Sequence, residues 1–72
     1  MKKEKEVGII VTLLSDDELT RQTLLELALN YQVYSYDYSE NSLLFKSKRK
    51  DDIQHLRESI KSHDLDVEIS SS

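Results

Sequence analysis

The sequence predicts one α+β domain, and three observations carry that prediction. Short β-branched or alternating segments and two longer segments of helical period follow one another in the order β-α-β-β-α-β. The first and third strand-like segments are apolar on both faces, as strands with neighbours on each side must be. The second and fourth alternate, as edge strands do.

The first segment, "VGIIVTLL" (Val7 to Leu14), is β-branched and nearly continuous in apolar residues. "SDDE" follows it. Ser15 as N-cap with Glu18 three residues later forms a capping box, and Asp16 and Asp17 suit the positive end of a helix dipole. The helix this opens is expected to run to about Tyr31. "QVYSYDY" and "SLLFKSK" are strand-like and joined by hairpin chemistry. With an even loop at Glu40-Asn41, Tyr38 faces Leu43, Tyr36 faces Phe45 and Tyr34 faces Ser47. That register turns the tyrosine stripe inward, while an odd loop would set it beside Leu44 and Lys46. "DDIQHLRESIKSH" gives a second helix, with Asp51 as N-cap, Gln54 closing the box, and Ile53, Leu56 and Ile60 as a narrow apolar stripe. His63 falls in its last turn. "LDVEIS" closes the domain with Leu65, Val67 and Ile69 inward.

This order is the split βαβ, or ferredoxin-like, plan: an antiparallel sheet in strand order 4-1-3-2 with two helices on one face. The domain is expected over residues 6–69, with a solvated tail at 1–5 and a frayed end at 70–72. Agreement between the patterning and the central positions of that topology supports the assignment.

Composition narrows the function. The chain has 72 residues, a net charge of −4, 38% hydrophobic residues, no cysteine, no proline and one glycine. Without cysteine there is no disulfide and no thiolate metal site. Apolar runs are far shorter than a membrane span, and "MKKEKE" lacks the apolar stretch of a signal peptide. A soluble, cytoplasmic chain is expected. A net negative chain is repelled by phosphate backbones unless its cations are strongly segregated.

Three features are candidate sites. Tyr34, Tyr36 and Tyr38 could form a stacking surface for bases, but they are expected instead to be core, an edge strand packing its rings into the sheet–helix layer. In the first helix Leu24, Leu25, Leu27, Ala28, Leu29 and Tyr31 cover an arc of about 200°, wider than one sheet face needs. The surplus, Leu25 and Leu29, is expected either to pack sideways on the second helix or to meet another chain. "KSKRK" is the one dense basic tract, and Asp51 and Asp52 follow it directly. His55 and His63 lack the i, i+4 spacing of a helical metal pair, so no metal or cofactor is expected.

Fold-level comparison excludes more than it assigns. RNA-recognition motifs share the element order but carry glycine-rich aromatic signatures on their central strands, absent from "VGIIVTLL" and "SLLFKSKR". Small acyl-phosphate hydrolases need an anion-binding loop where "SDDE" stands, and ACT-type regulatory domains usually turn there through glycine and proline. Neither a nucleophile elbow nor a phosphate-cradling loop is present, so no enzyme is expected. The function read from the sequence is a non-enzymatic protein-interaction module, expected as a homodimer. It would act through Leu25 and Leu29 of the first helix or a competing sheet patch at Ile10 and Leu44. The alternative is weak binding of single-stranded nucleic acid or an anion by Lys46, Lys48, Arg49 and Lys50.

Overall fold

A computed structural model describes residues 6–15 and 17–71. The expected tail at 1–5, Asp16 of the first capping segment and Ser72 lie outside the described residues. The elements are β1 (Val7–Leu13), α1 (Glu18–Ala28), β2 (Tyr34–Ser39), β3 (Ser42–Ser47), α2 (Lys50–Ser62) and β4 (Val67–Ser71). The four strands form one antiparallel sheet in the order β2-β3-β1-β4, the ferredoxin-like arrangement read from the other edge.

The core lies between the sheet and the helices. Ile9, Val11 and Leu13 from β1 and Leu43 and Phe45 from β3 meet Leu24, Leu27 and Ala28 of α1 and Ile53, Leu56 and Ile60 of α2. Leu65, Val67 and Ile69 pack partly buried at its margin, as their alternation predicts. β4 runs through Ser71, two residues beyond the expected end of the domain, because Ser70 and Ser71 pair with Ile10 and Ile9.

Both helix starts differ from the sequence reading. Asp17, rather than Ser15, caps α1: its carboxylate accepts from the Leu19 N–H at 3.1 Å and from the Thr20 hydroxyl at 3.1 Å. Ser15 is held in the strand-to-helix turn, where its carbonyl accepts from the Asp17 N–H at 3.0 Å. For α2 the N-cap position is Arg49, which offers no side-chain acceptor. Asp51 therefore lies inside the first turn, where its charge complements the dipole. α1 ends at Ala28, short of Tyr31, whose hydroxyl instead shares a 2.7 Å hydrogen bond with the Ser59 hydroxyl of α2.

The hairpin carries the main correction. The connection between β2 and β3 is the two-residue Glu40–Asn41 loop that was expected, flanked by the pair Ser39↔Ser42. Neither loop residue has positive φ, so the turn is not of the primed kind whose twist matches the flanking strands. A β-bulge between Asp37 and Ser39 makes up the difference, leaving Tyr38 as the surplus residue. It shifts the remaining ladder by one: Tyr36 pairs with Leu44 and Tyr34 with Lys46, rather than with Phe45 and Ser47. Phe45 is fully buried and Tyr36 is 50% exposed, on the opposite side of the sheet. The tyrosines are not core.

Far from the turn, the Ser47 hydroxyl is fully buried. It donates to the Gln32 carbonyl at 2.6 Å and accepts from the Arg49 N–H at 2.9 Å. It thus ties the α1–β2 loop to the exit of β3.

Candidate binding surface

The helices cover one side of the sheet, so the residues of the other side can be read from the ladder, because directly opposed residues share a face. The middle row is Tyr36–Leu44–Ile10–Ser70. On one side of it lies the row Tyr34–Lys46–Gly8, and on the other Ser39–Ser42–Thr12–Glu68. Ile10 and Leu44, proposed from the sequence as a patch, are direct cross-strand partners and half-buried. The tyrosines extend that patch to the β2 edge, with Tyr34 58%, Tyr36 50% and Tyr38 60% exposed.

The even-loop register expected from the sequence puts these rings inside and so leaves them out of the sheet patch. The signal that would have found them is the turn: Glu resists positive φ, so a primed Glu-Asn hairpin is disfavoured and a compensating bulge expected. The bulge also belongs to edge protection, as does Asp37, whose charge points to the helix side of β2. Arg21 of α1 approaches Asp37 at 3.7 Å and donates to the Glu40 carbonyl at 2.7 Å.

Leu25 and Leu29 lie elsewhere. They continue the i, i+4 ridge that begins at Arg21, so they flank β2 on the helix side and share no surface with Ile10 and Leu44. Leu29, at the C-cap, is 83% exposed, while Leu25 is 36% exposed. The structure thus separates the two patches that the sequence could not rank.

Charge is segregated along the strands. Lys46 ends the open face of β3, and Lys48, Arg49 and Lys50 follow where β3 turns into α2. Asp51 and Asp52 open α2 at this same end, with Arg49 3.5 Å from Asp52, and exposed Glu6 precedes β1. Among the described residues, Lys46, Lys48 and Lys50 form no ion pair. The opposite end gathers the β1–α1, β2–β3 and α2–β4 loops. They are held together by Leu13 N–H to the Asn41 carbonyl at 2.7 Å and Leu14 N–H to the Asp66 carbonyl at 3.1 Å. Exposed Asp17, Glu18, Glu40, Asp64, Asp66 and Glu68 stand there.

No group of three or more metal-ligating side chains assembles among the described residues. No described helix is long and apolar enough to cross a membrane. No family model, curated protein or solved structure matches the chain.

Proposed function

We propose that this chain is a non-enzymatic protein-interaction module that self-associates through the open face of its sheet. One observation carries the reading: Tyr34, Tyr36 and Tyr38, each at least half exposed, stand beside the Leu44–Ile10 pair on a face no helix covers. A buried aromatic ring removes some 150–250 Å² from water, so three half-exposed rings leave roughly 300 Å² outside. With Leu44 and Ile10 the patch reaches about 400 Å², within the size that marks functional surfaces. Two such faces, with their polar rims, would bury on the order of 1,000 Å², the lower edge of specific interfaces. Tyrosine-rich centres with polar rims are the usual anatomy of such contacts. By contrast, Leu25 beside Leu29 is mostly covered, and scattered exposed leucines such as Leu14, Leu19 and Leu29 need no partner to explain them.

Sedimentation equilibrium tests this. Wild-type chain is expected to dimerise with micromolar to sub-millimolar affinity, and Leu44→Glu and Tyr36→Ser to remain monomeric with an unchanged circular dichroism spectrum. Leu29→Glu is expected to dimerise like the wild type. A monomer at millimolar concentration overturns the reading, as does a dimer lost in Leu29→Glu and kept in Leu44→Glu.

A second reading has its own support. Lys46 lies in one cross-strand row with Tyr34, and Lys48, Arg49 and Lys50 follow, so aromatic rings and cations adjoin as in single-strand binders. The net charge of −4 opposes it. Retardation of a single-stranded oligonucleotide at low salt, lost in Tyr36→Ser and Lys46→Ala, would put this reading first.

A further inference from the structure

We propose that two copies stack open face to open face with their sheets reversed, the basic end of each lying over the acidic end of the other. This rests on self-association through that face, and it specifies the arrangement. Two simple two-fold axes lie in the plane between apposed sheets. An axis along the strands would place like ends together; an axis along the Tyr36–Leu44–Ile10 row would exchange them.

The apolar row is compatible with the second axis. Rotation about it sets Tyr36 against the partner's Tyr36, Leu44 against the partner's Leu44 and Ile10 against the partner's Ile10, an isologous contact. The charges then select it. Lys46 and the Lys48–Lys50 segment belong to one end of the strands; Glu40, Asp66 and Glu68 belong to the other. Reversal carries the row Tyr34–Lys46–Gly8 over the partner's row Ser39–Ser42–Thr12–Glu68. The alternative axis would gather the lysines of both copies at one end and the carboxylates at the other. Asp51, Asp52 and Glu6 moderate the basic end, and Arg21 and Lys61 the acidic end. Lys50, Asp51, Asp52, Arg21 and Lys61 all belong to the helices, on the covered side of the sheet, which leaves Lys46 and Lys48 as the cations nearest the open face. On the reversing axis Lys46 lies over the partner's Ser42, two strands from its Glu68, and packed sheets stand about 10 Å apart, so the charges act as an end-to-end field that biases the choice most at low salt. Aligned sheet packing at about −30° leaves these rows in approximate register.

The chain has no cysteine, so single-cysteine variants are clean probes. Gln32 and Glu40 are exposed and sit at opposite ends of β2. Equal amounts of Gln32→Cys and Glu40→Cys chains would be mixed at dimerising concentration and treated with a short bismaleimide. The mixed product, identified by mass, is expected in several-fold excess over either same-site product, and is expected to vanish when Leu44→Glu is added. Same-site products in excess, or no cross-link from chains that sediment as dimers, overturn the reversed arrangement and leave self-association standing. Chains that sediment as monomers overturn both.

Discussion

Residue 36 and residue 45 are both aromatic, both in strands of one hairpin, and opposite in what they do. Phe45 is enclosed by the core and has no access to solvent, while Tyr36 keeps half its surface in water. Phe45→Ala is therefore expected to cost about 3–5 kcal/mol, a large part of the stability of a domain this small. For the monomer, Tyr36→Ser should cost about 1 kcal/mol or less, the scale of a cross-strand pair with Leu44. Urea midpoints measured at low protein concentration check the contrast, and equal losses would place both rings in the interior. The capping residues make a second pair. Asp17→Ala removes acceptors from the Leu19 N–H and the Thr20 hydroxyl and should destabilise by about 1 kcal/mol, whereas Ser15→Ala should stay within about 0.5 kcal/mol. From the sequence, Ser15 is the expected cap, because Glu18 three residues on completes a box, and Asp17 is expected only to favour the dipole. What separates them is where the chain leaves β1, which depends on the long-range bond from Leu14 to Asp66.

At the scale of elements, the order and the faces of most segments were legible because each rests on many residues at once. β1 and β3 are apolar on both sides since both are central, and Ile53, Leu56 and Ile60 mark the buried side of α2 without ambiguity. The facing of β2 was not legible, although its extent was. All six of its residues are exposed, so burial gives no penalty for either register, and the outcome falls to the backbone of Glu40 and Asn41. Glu40 resists positive φ and neither loop residue adopts it, so the turn brings a bulge, and the bulge decides which side the phenols occupy. A strand weakly specified by packing is specified by its turn. Ile10 and Leu44 were legible as a patch and their tyrosine neighbours were not, because two lie on central strands whose faces the core fixes, the others on an edge it does not.

For the whole molecule, the net charge hides how the charges are placed. Fourteen acidic and ten basic residues sum to −4, yet the fold collects Lys46, Lys48, Arg49 and Lys50 at one end and Asp17, Glu18, Glu40, Asp64, Asp66 and Glu68 at the other. Topology does this, since the three loops of the acidic end come from separate stretches of chain. A domain of this size buries only about 60% of its unfolded surface, so association should contribute visibly to its stability. Above the dissociation constant of the dimer, each tenfold rise in protein concentration is expected to raise the melting temperature by roughly 4–5 °C. A melting temperature independent of concentration by calorimetry would show that the folded chain stands alone.

The hydroxyl of Ser47 bears on whether the hairpin can wander. Sliding β2 by one position would carry the Gln32 carbonyl about 3.3 Å along the ladder and strand that hydroxyl with neither water nor its acceptor. Such a group costs about 1–3 kcal/mol to leave dry. The frame of the hairpin is thus checked twice, by the turn at one extremity and by a sealed serine at the other, and a slipped chain would fail the second inspection even where it passed the first.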